Sequence, residues 1–276
     1  MPDLIPLGPR WQDRLLARFH MTGWRGFTRL HHLLKPAGGR REIQVRTRYG
    51  SQFLLTPWDC IDRHVLTEGF YESEVLKALR PSLSAPDAVL WVVGANFGLH
   101  AVTAKILHPG ARVLAFEPSP AMGARLLENS RLNSVEVELH AYALAEADAI
   151  LPFHANDSGN PGMSTLHPAP GFRYAPPFHV ATVAAATLLA RGVVPPPTVL
   201  LVDAEGAEEE VLRGFGSYLS SPTLRSVVFE AANEFLEPGA SGTLRDLVTQ
   251  AGFALVRLER REDTAHALSN FHAMRP

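Results

Sequence analysis

The chain has 276 residues, a formal net charge of −2 and one cysteine, Cys60. A chain without an overall basic field is not expected to bind nucleic acid, and a single cysteine excludes an intrachain disulfide and favours a reducing, cytoplasmic location. Residues 1–10 do not read as a secretory signal, and no stretch reaches the roughly 18 apolar residues of a membrane span. The length suits one large α/β domain with a smaller N-terminal element.

The N-terminal element is predicted to contain helices and a β-hairpin. Residues 11–34 carry apolar side chains near helical spacing, which predicts one or two helices packed on the core or on a second subunit. The alternative is a helix that lies on a membrane surface or covers a pocket. Residues 42–47 and 51–55 predict the hairpin, and residues 72–79 a helix that Pro81 stops. We therefore divide the chain into residues 1–80, a lid or an element that forms a homodimer, and residues 81–276.

Strands and helices alternate from residue 88 onward. The apolar run 88–93 predicts a strand buried on both faces, and the irregular segment 155–178 is long enough to be functional. The alternation predicts a mostly parallel sheet with right-handed crossovers. Further strands are expected over residues 112–116, 135–142, 150–154, 179–183, 198–202, 225–229, 253–258 and 270–274, and helices over 99–107, 121–132, from 207 and over 244–251.

A glycine-containing turn follows the first buried strand. Gly94 permits the tight turn and Gly98 a close approach of the backbone to a ligand, while the N-terminus of the next helix favours an anionic group. Glu117 lies 23 residues beyond Gly94, where a carboxylate can accept hydrogen bonds from both ribose hydroxyls. The pattern predicts an adenosine-type cofactor. The spacing G-x-x-x-G differs from the G-x-G-x-x-G of dinucleotide enzymes, so a nucleotide-dependent oxidoreductase is the less favoured alternative.

Acidic residues end two later strands of the predicted sheet. Asp203 ends one strand, Glu205 follows it, and Glu230 ends the next, at the edge where open α/β sheets bind ligands. These three, with His100 in the helix after the glycine turn, are the candidate catalytic residues, because a hydroxyl acceptor needs a general base. The structural alternative is that Asp203 caps a helix, Glu205 compensates its dipole, and Glu208–Glu210 form a solvated face. The carboxylates could hold magnesium, but no spacing requires a metal and none is predicted.

Three motifs in this order resemble the FkbM family of methyltransferases. They are Val93-Gly94-Ala95-Asn96-Phe97-Gly98, then Phe116-Glu117-Pro118-Ser119-Pro120, then Val202-Asp203-Ala204-Glu205-Gly206-Ala207-Glu208 with Val211-Leu212-Arg213-Gly214. Other similar segments, within about residues 60–275, are Gly69-Phe70-Tyr71-Glu72, Met163-Ser164-Thr165-Leu166 and Val228-Phe229-Glu230. The resemblance implies an α/β, Rossmann-like seven-stranded methyltransferase sheet, S-adenosylmethionine as cofactor, and O-methylation of a sugar or natural product.

The resemblance also implies which residues hold the cofactor. The family usually has an acidic residue where this chain has Val92, and that side chain helps to arrange the methionine end of the cofactor. This departure motivates a second hypothesis, in which the chain is a catalytically degenerate member that binds a ligand or partner. The residues expected to bind the cofactor are Glu72, Gly94, Ala95, Asn96, Phe97, Gly98, Glu117, Pro118, Ser119, Ala143 and Asp203.

Overall fold

A computed structural model describes residues 4–5, 42–56, 59–157, 160–232, 243–259 and 268–275. The helices predicted over residues 11–34 lie outside these ranges. Within them, none of the helices combines the length and the apolar character needed to cross a bilayer.

The described residues form thirteen strands and seven helices. The strands are β1 (Leu4–Ile5), β2 (Ile43–Arg46), β3 (Gln52–Leu55), β4 (Val89–Val93), β5 (Arg112–Phe116), β6 (Glu138–His140), β7 (Ala143–Leu144), β8 (Ala149–Phe153), β9 (Phe178–Val183), β10 (Val199–Val202), β11 (Ser226–Ala232), β12 (Ala254–Arg257) and β13 (Leu268–Met274). The helices are α1 (Cys60–Glu68), α2 (Ser73–Leu83), α3 (Leu99–Leu107), α4 (Pro120–Leu132), α5 (Ala185–Ala190), α6 (Glu208–Arg213) and α7 (Thr243–Gln250).

Seven strands form the central sheet, in the order β12-β13-β11-β10-β4-β5-β6. The five strands from β11 to β6 in this order are parallel, whereas β13 runs antiparallel to both of its neighbours. β10 is buried at all four of its residues, as expected for a strand covered on both faces. The predicted seven-stranded, mostly parallel α/β sheet is confirmed, and its carboxyl edge collects the ends of the parallel strands.

Each face of the sheet packs on a separate hydrophobic core. Val92, Leu201 and Val228 are aligned across β4, β10 and β11, and they pack with the β2–β3 hairpin and with α1 to α4. Trp91 and Leu200 point to the opposite core, which α5, α6 and α7 cover. Successive side chains of a strand alternate between its faces, so neighbouring residues enter different cores.

The N-terminal hairpin shares the first of these cores. β2 and β3 pair antiparallel as predicted, with Val45 opposite Phe53, and β1 adds to β2. Both side chains are fully buried in the same cluster as Val92. The described part of residues 42–80 is therefore packed on the central sheet, and the boundary drawn after residue 80 falls within α2. Its role as a lid or dimer element stays a prediction.

Several elements differ from the sequence-based expectation. α2 continues through Pro81 to Leu83, because Pro81 is exposed and water can satisfy the carbonyl that the missing N–H leaves free. The strand expected over residues 135–142 covers only Glu138–His140, since the amide of Tyr142 turns back to bond the carbonyl of His140 at 2.9 Å. Helices α1 and α5 were not predicted; α5 has only six residues, too few for a clear helical period.

Candidate active site

The turn after β4 begins with Gly94, and its surroundings require glycine. Its φ is +73°, and a Cβ there would overlap the backbone oxygen of Asp203. The amides of Gly94 and Ala95 donate to the carbonyl of Phe116 at 3.0 and 3.2 Å, and the amide of Asp203 donates to the carbonyl of Val93 at 3.0 Å. These bonds join the ends of β5, β4 and β10 at one edge of the sheet.

Gly98 lines neither of the two cavities described below. It caps α3 with a φ of +89°, and a Cβ would lie 2.9 Å from Cγ of Leu126 on α4. The glycine therefore permits close packing of two helices in this structure, and its nearest neighbour is a side chain of the core.

Glu117 follows β5 and is buried beside the turn. Its Oε2 accepts a hydrogen bond from the amide of Asn96, and its Oε1 accepts one from the amide of Ser119, both at 2.8 Å. Glu117 is only 6 % exposed. Burial raises the pKa of its carboxyl group to about 7, although the hydrogen bonds from the two amides lower that pKa. Each carboxylate oxygen has a further lone pair, so Glu117 can accept two more hydrogen bonds from a ligand.

A cleft with about 660 Å³ of empty space opens between Glu117 and Asp203. Most of its wall is apolar, as is usual for small-molecule sites. Residues that sequence reasoning missed, Ile61, Met122, Leu144 and Phe153, supply part of that wall; they are ordinary apolar residues in short elements and carry no motif. The predicted site residues that line the cleft are Gly94, Asn96, Glu117, Pro118, Ser119, Ala143, Asp203 and Glu205.

A second cavity of about 390 Å³ lies on the other side of the glycine turn. Val92 and Leu201 form part of its wall, and Asp203 lines both cavities. The predicted residues Ala95, Phe97 and His100 line this second cavity.

A carboxylate approaches this cavity from α2 rather than from β4. Val92 is 2 % exposed and apolar, whereas Oε2 of Glu72 lies 3.9 Å from Nε2 of His100. Glu72 is also near enough to Asp203 for its charge to raise the pKa of that carboxyl. Glu72 therefore brings negative charge close to His100 and Asp203, which line the same cavity as Val92.

Four carboxyl groups cluster at the ends of β10 and β11. Burial raises the pKa of Asp203 well above its ordinary value, and the charges of Glu205, Glu230 and Glu72 raise it further. Burial and the charge of Glu230 raise the pKa of Glu205 to about 8. The fold thus brings together the three acidic residues predicted as catalytic, and adds Glu72. Glu205 therefore retains most of its proton at neutral pH, because its ionisation would place like charges side by side.

The described residues offer no support for a magnesium ion in this cluster. In the ranges given above, no group of three or more histidine, cysteine, aspartate or glutamate side chains has an arrangement that could hold a metal ion.

Glu208 holds the loop that carries Glu205. The expectation that Glu208 lies on a solvated face is wrong: the residue is 8 % exposed. Its Oε1 accepts a hydrogen bond from the amide of Ala204 at 2.9 Å, and its Oε2 accepts one from the amide of Gly206 at 3.1 Å. The N-cap of α6 is Ala207, so the capping role considered for Asp203 is not observed.

The irregular segment 155–178 contacts this loop. Oγ1 of Thr165 donates to the backbone carbonyl of Glu205 at 2.8 Å, and His167 lies 3.0 Å from a carboxylate oxygen of Glu210. Thr165 and its neighbour Ser164 line the cleft. The segment, expected to be functional from its length, therefore forms one wall of the cleft.

Comparison with known proteins gives a family match over more than half of the chain. A family model described as Methyltransferase FkbM domain matches residues 93–255. Hexuronic acid methyltransferase AglP of Haloferax volcanii is 33 % identical over 150 residues, which cover 54 % of this chain and 59 % of that protein. The chain thus spans about three fifths of the length of this relative.

Two further proteins resemble the chain more distantly. Methyltransferase 1 of Beauveria bassiana is 29 % identical over 191 residues, covering 63 % of this chain and 75 % of that protein. The crystal structure of a SAM-dependent methyltransferase from Agrobacterium tumefaciens superposes with a TM-score of 0.49 and 13 % identity, covering 88 % of this chain and 72 % of that one.

Proposed function

The chain belongs to the FkbM methyltransferase family, which uses S-adenosylmethionine, and we propose that it methylates a hydroxyl group of a sugar or natural product. The observation that carries this proposal is the cleft itself, with Glu117 at one end and the carboxyl cluster around Asp203 at the other. A cofactor with a neutral ribose and a cationic sulfonium matches these two ends. The proposed acceptor is a small molecule; a cytoplasmic location and a homodimer stay predictions, as does the absence of nucleic acid as a partner.

The residues present fit S-adenosylmethionine. Glu117 keeps lone pairs for the two ribose hydroxyls, and Phe116 and Met122 offer apolar surface beside it for the base. Glu72 and Asp203 are the proposed partners of the positively charged methionine end, and they compensate for the acidic residue that is absent at Val92.

Asp203 is the proposed general base. When bound, S-adenosylmethionine supplies the reactive methyl group. Asp203 lines both cavities, so its carboxylate can face an acceptor in one and the methionine end in the other. Its raised pKa makes the ionised carboxylate a better acceptor for the hydroxyl proton. Glu205 and Glu230 orient the acceptor, and His100 beside Glu72 is the alternative base.

Calorimetric titration with S-adenosylmethionine, S-adenosylhomocysteine and NAD tests the proposal. We expect both S-adenosyl compounds to bind and NAD to bind weakly or not at all. Binding of NAD alone would contradict the proposal and favour an oxidoreductase. S-adenosyl binding without methyl transfer to any hydroxyl compound would favour the catalytically degenerate alternative that Val92 raises.

A further inference from the structure

A row of polar positions crosses the carboxyl edge of the sheet. Gly94 and Asp203 follow the paired ends of β4 and β10, and Asp203 is level with Glu230 on β11. Glu230 is directly opposite Asn270 on the antiparallel strand β13. Opposite residues in a sheet project to the same face, with Cβ atoms about 4.5–5.5 Å apart. Next to Asp203, the proposed base, the row therefore continues with the carboxylate of Glu230 and then the amide of Asn270.

Asn270 is a buried amide whose NH₂ group has no hydrogen-bond partner among the described residues. The residue is 4 % exposed, and its Nδ2 is enclosed. Asn129, which is 1 % exposed, shows the usual arrangement: its Oδ1 accepts from the amide of Leu54, and its Nδ2 donates to the carbonyl of Phe97, both at 2.9 Å. A buried donor without a partner destabilises a fold, so its presence beside the site indicates a ligand atom that satisfies it.

The charge of the site limits the acceptor. In the described parts of the chain, no lysine or arginine lines either cavity, and the nearby carboxyl groups already repel one another. A carboxylate on the acceptor would add to this repulsion. A hydroxyl group, in contrast, can donate to a carboxylate and accept from an amide.

We infer that Glu230 and Asn270 form a subsite for an uncharged acceptor with adjacent hydroxyl groups, one of which donates to Glu230 while the other accepts from the Asn270 amide. This inference rests on the proposed function and deepens it. The hydroxyl that is methylated then lies next to Asp203, which follows β10, the neighbour of the strand that carries Glu230. A hexuronic acid with a free carboxylate is a poor fit for this subsite, although the Haloferax relative is named for that sugar class.

The first experiment compares Asn270→Leu with Asn129→Leu in thermal melting without ligands. Leucine has nearly the shape of asparagine and removes the amide. We expect Asn270→Leu to melt at or above the temperature of the unchanged protein, and Asn129→Leu to melt several degrees below it. The affinity of Asn270→Leu for S-adenosylmethionine, measured by calorimetry, should stay within about twofold of that of the unchanged protein. Asn270 is separated from the glycine turn by the strands that lead to Asp203 and carry Glu230. A melting temperature lowered as much as that of Asn129→Leu would show a structural role and overturn the inference.

The second experiment measures methyl transfer from labelled S-adenosylmethionine to methyl glucoside, methyl galactoside, methyl mannoside and the matching methyl glucuronoside. We expect at least one neutral glycoside to be methylated, with kcat/KM about tenfold or more above the glucuronoside. In Asn270→Leu, KM for that glycoside should rise about tenfold, the equivalent of one lost hydrogen bond, while kcat changes less. A fall in kcat alone, with KM unchanged, would overturn the role of Asn270.

The same assay separates failure of the inference from failure of the proposed function. If S-adenosylmethionine binds but no neutral glycoside is methylated, or only the glucuronoside is, the inference is wrong and the cofactor assignment stands. If S-adenosylmethionine does not bind, the proposed function fails together with the inference.

Discussion

The two ends of the cleft bury carboxyl groups in opposite ways. At one end, Glu117 is satisfied by the amides of Asn96 and Ser119, and no neighbouring carboxylate raises its pKa. At the other end, burial and the charges of neighbouring carboxylates raise the pKa values of Asp203 and Glu205. The first end is preorganised for neutral hydrogen-bond donors. The second is strained by like charges, and a cation relieves that strain.

The largest expected effect comes from a substitution at the crowded end of the cleft, where the carboxyl groups cluster around Asp203. Asp203→Asn keeps the shape of the side chain but removes the proposed base, so turnover should fall about 10²–10⁴-fold. The melting temperature should not fall, because asparagine has the shape of the neutral carboxyl group that burial and the neighbouring carboxylates favour at this position. Turnover and melting of the same variant test this expectation, with Asp87→Asn, an exposed residue paired with Arg225, as the control. Near-normal turnover would remove Asp203 from the mechanism and leave Glu205, Glu230 and His100.

The next prediction concerns Gly94, where the two ends meet. Gly94→Ala places a methyl group against the backbone oxygen of Asp203 at a φ of +73°. Overpacking costs about 1–3 kcal/mol and a left-handed alanine about 1–2 kcal/mol, so the free energy of unfolding should drop by roughly 2–5 kcal/mol. S-adenosylmethionine binding should weaken as well. Gly110→Ala, which meets no atom within 4 Å, is the control. Equal stability of the two variants in denaturant would show that the turn relaxes.

A smaller effect is expected at the satisfied end. Glu117→Ala removes the proposed acceptor of the ribose hydroxyls, so S-adenosylmethionine binding should weaken by about 1.5–3 kcal/mol, the range for hydrogen bonds to a charged group. Calorimetry on Glu117→Ala measures this, and Glu128→Ala on the exposed face of α4 should bind normally. Unchanged affinity in a folded Glu117→Ala protein would show that the ribose is held elsewhere.

The last prediction concerns the dependence of the protein's stability on pH. Burial raises the pKa of Asp62 to about 6, of Glu117 to about 7 and of Glu205 to about 8. These three groups therefore bind more protons in the folded protein than in the unfolded chain from about pH 4 to 8, and their contribution to the free energy of unfolding should fall as pH rises through this window. Each group that stays protonated contributes about 1.4 kcal/mol per pH unit.

Denaturant unfolding at pH 5, 6.5 and 8 measures this slope. Glu205→Gln should flatten it in both intervals, and between pH 6.5 and 8 it should remove the largest share of the slope, because the pKa of Glu205 is the highest of the three. A stability that increases over the whole interval would contradict the raised pKa values and, with them, the contrast between the two ends.

The parts of the site that depend on local chemistry could be predicted from the sequence. Gly94 and Glu117 stand in a turn and at a strand end whose residue types and spacing are readable without the fold. Asp203 was found in the same way. The sheet was predictable because its apolar runs alternate with helical segments, although short elements such as α1 gave no periodic signal.

The rest of the site depends on contacts between distant segments. Glu208 stands among three consecutive glutamates that suggest a solvated face, yet the loop folds back on its carboxylate. Asn270 becomes notable only through its register opposite Glu230, which no local pattern specifies. Glu72 was expected to bind the cofactor only through the family resemblance, and it reaches the cluster because α2, which follows it, packs across the sheet. Predicting these contacts requires knowing which strands and loops are neighbours in the fold, and this cannot be read from the sequence of one chain.

The place of β13 has a consequence for how the protein is made. Among the strands that the structure describes, β13 comes last along the chain, yet it lies between β11 and β12. During synthesis, β11 and β12 emerge first and must leave room for a strand that the ribosome has not yet produced. Until then both present open edges with unpaired backbone groups, which invite pairing with other chains. Productive folding therefore depends on late insertion of this strand, and a chain interrupted before residue 268 would be prone to aggregate.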